Sequence, residues 1–377
     1  MNPETLTNTE YERIALSSRI NLSDGHSRLP LTASQRQIVG QMPQMLSRID
    51  QMRQEALEDE FVEQFFACAG QPSASSTEIR RFLNYSSSCS IKIAAQYCRM
   101  MNLQVFLMEP CFDNIRHMLL TEGVQVDAIA ESMFRDLSAI SKLAHPKAAF
   151  WIVFPNNPTG FGFGREDFGR LIDTIAAAGA TVIVDFCFRF YMNDLAEWDQ
   201  YRVLIDSGTS FVAIEDTGKT WGVSDLKVGL TTSSADAGDV LHRLHDQLLL
   251  NVSGLQLMLL TSMIRDSIEQ GIDVVVREPV ELNRSLIHSL VGPNLFEHAS
   301  PYCRNVPLEY LRLPNHYDAV RFWRSLKSYG VDILPGTNYY WSAPDAGRDC
   351  LRIPLARPQN ELRAAVPLMR QALDDCR

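Results

Sequence analysis

The sequence predicts an α/β protein: a large domain with a mostly parallel central sheet flanked by helices, followed by a small α+β domain. Three observations carry this. Four short apolar runs, LQVFLMEP, AAFWIVFP, ATVIVDF and TSFVAIED, read as buried strands, and the helix-like DFGRLIDTIAAAGA lies between two of them. Alternation of this kind brings parallel strands together with helices on both faces. A chain of 377 residues is also too long for one small core, so a second, smaller unit is expected.

Taken in order, residues 1–33 are expected to form an N-terminal arm or lid, 34–280 the large domain and 281–377 the small one. The first residues, MNPETLTNTEYERIALSSR, mix both charge signs and lack an apolar stretch, unlike a secretory or transit signal. Thr9 to Leu16 reads as a short amphipathic helix and Ile20 to His26 as a strand. QRQIVGQMPQML and IDQMRQEALEDEFVEQFF, within 34–70, are helix-forming, and no repeat of solenoid period is visible. From about 280 onward, LEYLRLP, VDILPGT and CLRIPLARP read as strands around the helix AVRFWRSLKSYG.

Composition narrows the function. With 46% hydrophobic and 21% charged residues the chain is an ordinary globule, and no apolar run approaches the ~20 residues of a membrane span. A net charge of −10 without a basic cluster disfavours nucleic acid as a partner. The eight cysteines lack C-x-x-C spacing and no His stands at finger distance, so reduced thiols, no metal and a cytoplasmic location are expected.

Ligands of open α/β sheets sit at the carboxyl ends of the strands. Here those ends carry Pro155-Asn156-Asn157, Asp185, and Asp216 through Lys219. Pyridoxal 5′-phosphate (PLP) asks for a lysine to form an imine, an acid at its ring nitrogen, a donor to its ring oxygen and a phosphate cradle. Lys219, Asp185 and Asn157 are the candidates for the first three. The run Tyr85 to Ser90, with Ser87 and Ser88, opens a helix whose N–H groups can hold an anion. Lys227 adds a counter-charge and Phe112 a face for stacking.

Together these residues resemble fold-type I PLP enzymes of the aminotransferase class I/II superfamily, over essentially the whole chain. Gly218-Lys219-Thr220-Trp221 and Leu226-Lys227-Val228-Gly229 are similar to its kynurenine-aminotransferase-like branch. The resemblance places Arg352, in LRIPL, at the substrate carboxylate, where a planar guanidinium makes two parallel hydrogen bonds. Two departures stand out. Phe188 occupies the place of a usual Tyr, and Asp216 that of a phosphate-binding Ser. A carboxylate there should face something positive, either a cationic group of the substrate or, structurally, Lys227 or a cap.

The segments Asp24-Gly25-His26, Phe112-Asp113-Asn114-Ile115, Ile214 to Lys219 and Asp225-Leu226-Lys227 further resemble the PLP- and O2-dependent L-arginine oxidases and hydroxylases of enduracididine, azomycin and indolmycin biosynthesis. That resemblance implies Glu12, Asp24 and Asp216 as ligands of the substrate guanidinium with Thr9 nearby, His26 over the substrate, and O2 as co-substrate. The implied reaction runs through quinonoid intermediates to 4-hydroxy-2-oxoarginine or dehydroarginine-type 2-oxo products, with peroxide and ammonia. Cys187, two residues after the ring acid, replaces the subgroup's Ser. An aminotransferase of a basic or aromatic amino acid is the alternative, and a non-catalytic binding or regulatory protein a further one. Fold-type I enzymes complete their sites across a dimer, which implies a homodimer, with Asn251-Val252-Ser253-Gly254 as the segment lent. Residues 1 to about 25 are expected to order over substrate.

Overall fold

A computed structural model describes residues 6–223, 225–293 and 295–376; residues 1–5 of the expected arm lie outside them. Among these residues, twelve strands form two sheets. They are β1 (Ile20–Leu22), β2 (Ile79–Asn84), β3 (Gln104–Glu109), β4 (Gln125–Ala130), β5 (Ala148–Val153), β6 (Thr181–Asp185), β7 (Phe211–Asp216), β8 (Gly229–Ser234), β9 (Glu297–His298), β10 (Leu308–Arg312), β11 (Val331–Pro335) and β12 (Cys350–Pro354).

The larger sheet has the order β2-β8-β7-β6-β5-β3-β4. β4, β3, β5, β6 and β7 run parallel, and β8 is antiparallel to both its neighbours. Its central strands β5 and β6 are buried along their whole length, which is why they read as unbroken apolar runs rather than alternating ones. The four strands expected from those runs are β3, β5, β6 and β7. β2, β4 and β8 lack such an apolar run. β8 reads Gly-Leu-Thr-Thr-Ser-Ser, and its Thr231, Thr232 and Ser233 are fully buried, so polarity concealed a core strand. The smaller sheet, β1-β11-β12-β10-β9, pairs β1 with β11 in parallel and is otherwise antiparallel.

Each sheet has its own apolar core. The second draws on Leu6, Tyr11, Ile20 and Leu22 as well as on residues from Val275 to Cys376, so the start of the chain is built into the smaller unit. The expected helix near Thr9 is Asn8–Ala15, opened by a capping box in which Thr7 and Glu10 satisfy each other's backbone N–H. The expected strand from Ile20 to His26 is shorter. It stops at Leu22 because the Asn21 side chain accepts the N–H groups of Ser23 and Asp24, at 3.0 and 3.2 Å, and turns the chain. Asp24, Gly25 and His26 therefore lie in a loop.

The helix Asn8–Ala15 is tied to the large unit by Asp113, whose Oδ2 accepts the Asn8 N–H at 2.9 Å while Oδ1 has no partner. Burial pushes the Asp113 carboxyl up to about 6, against the lowering effect of the Asn8 hydrogen bond and the nearby His117. The folded state thus holds this proton more tightly than the unfolded chain, whose carboxyl titrates near 3.8. Stability from this group is lost as pH rises from about 4 to 6, by roughly 2–3 kcal/mol. Asp113→Asn is expected to raise the denaturation midpoint at pH 7.5, with the gain shrinking toward pH 4.5. An equal difference at both pH values would count against the assignment.

Candidate active site

The carboxyl ends of β5, β6 and β7, the start of the helix Ser87–Met101 and the N-terminal helix enclose a cavity of about 220 Å³. Its wall includes Thr9, Glu12, His26, Ser87, Ser88, Phe112, Asn157, Asp185, Cys187, Asp216, Lys219, Lys227 and Arg352. Of the candidates named from sequence, Asp24 alone is absent from this wall. Ser86, from the expected cradle run, lines it as well, as do Ile91, Asn114, Ile115, Val153 and Phe188, to which no site role was assigned.

Asp185 ends β6 with its carboxyl buried, which pushes its proton affinity up, while the Cys187 side chain and backbone N–H and the charge of Lys219 oppose this. Cys187 N–H donates to Asp185 Oδ1 at 2.9 Å. Asp216 ends β7, and there the balance falls the other way. Burial raises it, but Lys219, His26 and the Ser87 hydrogen bonds more than compensate and hold it below the usual carboxylate range. Its oxygens accept Ser87 N–H at 2.9 Å and Gly218 N–H at 2.7 Å. The positive partners expected for Asp216 are therefore in part a helix N-terminus and a lysine of its own chain. One N–H of the expected phosphate cradle is already engaged by it.

Lys219 follows in the turn Thr217–Lys219, its Nζ 5.9 Å from the centre of the Phe188 ring. Its carbonyl accepts the Tyr191 hydroxyl at 2.7 Å. Lys227 Nζ lies 3.0 Å from His26 Nε2, and His26 Nδ1 lies 2.6 Å from Asp24 Oδ1. An ammonium can only donate, so Nε2 accepts from Lys227 and Nδ1–H donates to Asp24. Asp24 also accepts His26 N–H at 2.9 Å and Arg28 at 2.9 Å. Burial alone would raise the Asp24 carboxyl; the His26 and Arg357 contacts hold it well below the usual range. In this structure both Asp24 oxygens are engaged within its own loop, where the residue orients His26.

Arg352, only 1% exposed, reaches the cavity from β12 past Gly25, where a Cβ would stand 3.4 Å from Nη1. It donates to Glu12 Oε1 at 3.0 Å and to the Ser23 carbonyl, while its Nε has no partner. Glu12 and Arg352 were expected at opposite ends of a substrate. The structure brings them together, a contact spanning 340 residues that no local pattern signals.

The sequence pattern of the class I and II aminotransferases matches residues 14–367. The chain belongs to that family. Like its relatives, this class I and II aminotransferase-family member is a PLP-dependent enzyme fold. Superposition on MppP, solved after soaking with the product 2-ketoarginine, gives a TM-score of 0.87 at 29% identity, covering 94% of this chain and 100% of the other. Aspartate aminotransferase from Thermus thermophilus with maleate gives 0.77 at 14% identity, covering 97% and 96%, a likeness of fold. By sequence, the family member is 21% identical over 215 residues to histidinol-phosphate aminotransferase of Caldicellulosiruptor saccharolyticus, covering 57% of each chain. It is 27% identical over 244 residues to LL-diaminopimelate aminotransferase of Dehalococcoides mccartyi, covering 61% of this chain and 58% of the relative. The match thus spans little more than half the length of these curated relatives. No helix among the described residues is long and apolar enough to cross a membrane.

The residues present fit PLP. Asn157 stands in the cavity wall with a side-chain NH2 able to donate to a ring oxygen, and the buried Asp185 carboxyl needs a cation that a protonated ring nitrogen supplies. The helix start at Ser87 is pressed against β8 at Gly229, where any Cβ would come within 2.4 Å of the Ser86 carbonyl carbon. Only glycine allows the cradle to close there.

Proposed function

We propose that this enzyme is a PLP-dependent oxidase acting on L-arginine with O2, giving 4-hydroxy-2-oxoarginine or dehydroarginine-type 2-oxo products with H2O2 and ammonia. The observation that carries this reading is the charge layout of the cavity: the buried Arg352 guanidinium at one side, and the carboxylates of Glu12 and Asp216 within the same wall. The wall thus offers one guanidinium for a substrate carboxylate and, once Glu12 leaves Arg352, two carboxylates for a substrate guanidinium. The 29% identity to MppP, solved after soaking with the product 2-ketoarginine, supports it.

Bound PLP supplies an electron sink that acidifies the substrate Cα–H. Asp185 would hold the cofactor's ring nitrogen, Asn157 its ring oxygen, and Ser87, Ser88 and Lys227 its phosphate, with Phe112 and Cys187 beside the ring. Arg352 orients the substrate carboxylate through Nη2 and the unpartnered Nε. Lys219 Nζ takes the Cα proton. Glu12 and Asp216 hold the guanidinium, and Thr9 closes the wall beside them. His26, its tautomer fixed by Asp24, presents Nε2 to the cavity once Lys227 turns to the phosphate, as the group that accepts or returns a proton when water adds. The helix Asn8–Ala15, which carries Thr9 and Glu12, forms the roof that keeps bulk water out. In this reading the enzyme works as a two-fold homodimer, and Asn251-Val252-Ser253-Gly254, outside its own cavity and bonded to Gln54 through the Val252 carbonyl, is the segment lent.

The decisive experiment mixes PLP-loaded protein with L-arginine, without a keto acid, and follows O2 and peroxide. O2 uptake with peroxide and ammonia release is expected. No uptake, but amino transfer once a keto acid is added, would replace this reading with the second one. That second reading is an aminotransferase of a basic or aromatic amino acid, which the histidinol-phosphate and diaminopimelate aminotransferase relatives favour.

A further inference from the structure

Away from the cavity, the smaller sheet gathers three metal-ligating side chains from separate elements. His288 is the last residue of the helix Glu278–His288, His298 lies on β9, and Glu309 lies on β10. β9 and β10 pair with His298 opposite Leu311, so Glu309, two residues before Leu311, shares the face of His298 and stands diagonal to it. His288 Nε2 lies 3.3 Å from Glu309 Oε1, and His298 Nδ1 lies 3.5 Å from Oε2. The two imidazoles meet nearly edge to face, their centres 4.9 Å apart, and one ligand atom from each residue falls within 4.8 Å of the others.

Glu309 is the group that demands explanation. It is 1% exposed, and Oε2 is buried without a hydrogen-bond partner. A buried carboxylate oxygen is costly to leave unpaired. Its other oxygen is held by Arg284, which also donates to Glu281 at 2.8 Å and to the carbonyls of Val306 at 2.8 Å and Leu308 at 3.1 Å. Arg284 thus makes four hydrogen bonds with its five N–H groups and is shared between two carboxylates, so Glu281, Arg284 and Glu309 together retain one negative charge. The histidines are 37% and 43% exposed, which leaves the outer side of the trio open to solvent.

We propose that His288, His298 and Glu309 form a binding site for a zinc-class divalent transition metal, with solvent in the remaining position and Arg284 fixing the ligand carboxylate from behind. Donors around a tetrahedral ion with bonds of about 2.0–2.2 Å stand roughly 3.4 Å apart; each imidazole lies near that distance from its own carboxylate oxygen, and closing the set from within 4.8 Å takes only small side-chain rotations of the partly exposed histidines. Two imidazoles with one carboxylate select Zn2+, Co2+ or Ni2+ over the oxygen-seeking Mg2+ and Ca2+. A hydrogen bond from a second residue to a ligating carboxylate is the usual way such a ligand is oriented. No metal was expected from the sequence, because the three residues are spread over 22 positions without a recognised spacing. Bound metal would clip the end of a helix to the two-residue edge strand β9.

The test uses untagged, PLP-loaded protein stripped with chelator and titrated calorimetrically with ZnCl2. One equivalent per chain is expected, with a denaturation midpoint that rises with Zn2+ and returns on adding chelator. His288→Ala and His298→Ala, both at partly exposed positions, should each weaken binding at least about tenfold, the scale on which even supporting residues of metal sites act. The double variant should bind none while keeping its PLP content and its metal-free midpoint. Absence of stoichiometric binding in the parent protein, or unchanged binding in the double variant, would overturn the proposal.

Discussion

Asp24→Ala is expected to lower turnover of L-arginine by roughly 10²–10⁴-fold, the range that a positioned acid or base contributes. The residue touches no substrate in the proposed arrangement, so the effect has to pass through His26. Asp24 Oδ1 takes the Nδ1–H at 2.6 Å and the His26 backbone N–H at 2.9 Å. Without it the imidazole can turn over, move its proton to Nε2 and present a donor where Lys227 needs an acceptor. The expected signature is non-additivity: His26→Asn alone, Asp24→Ala alone and the double variant should all show nearly the same kcat, because residues acting as one unit fail together. Independent, multiplicative losses would remove Asp24 from the mechanism. PLP content, measured in parallel, separates this from a collapse of the cavity.

Glu12→Gln should change affinity for two ligand types in opposite directions. Glu12 accepts from the Arg352 guanidinium at 3.0 Å, the group proposed to take the substrate carboxylate. An entering arginine must displace Glu12 from Arg352, and its own guanidinium then offers Glu12 a replacement partner. The neutral variant loses that second contact. At a site where Glu12 is 19% exposed, the loss is about 2 kcal/mol, or roughly a 30-fold rise in KM for L-arginine. A simple dicarboxylate such as maleate has no guanidinium and competes with Glu12 for Arg352 alone, so its inhibition should tighten in the same variant. If KM for arginine is unchanged, or if both ligands weaken together, Glu12 is a structural partner of Arg352 and no more.

The parts of this molecule that could be read from the chain are those whose physics is local. β5 and β6 announce themselves because a strand buried on both faces must be apolar at every position. Asp185 and Lys219 stand out because strand ends are where such sheets hold ligands. β8 was hidden because burying Thr231 and Thr232 is possible only where neighbours satisfy their hydroxyls, as Asn84 and Tyr201 do, and those neighbours are far away in sequence. The same holds for the site. That Asp216 belongs to a helix start 129 residues earlier, and that Asp24 serves its own loop rather than the cavity, are facts of tertiary geometry. A resemblance can indicate which residues gather; it cannot say which oxygen is already engaged.

The antiparallel course of β8 has a consequence for how the protein comes apart. The chain leaves the sheet at Asp216 and re-enters it at Gly229, and these two residues are directly paired. Lys219 and Lys227 therefore ride on one closed loop whose two feet share a single rung, and that rung is wedged against the start of the helix Ser87–Met101. Fraying there would release both lysines and the anion cradle in one motion. Loss of cofactor and the first opening of the large sheet would then be a single cooperative event, visible in hydrogen exchange as amides on both sides of the rung losing protection at the same rate.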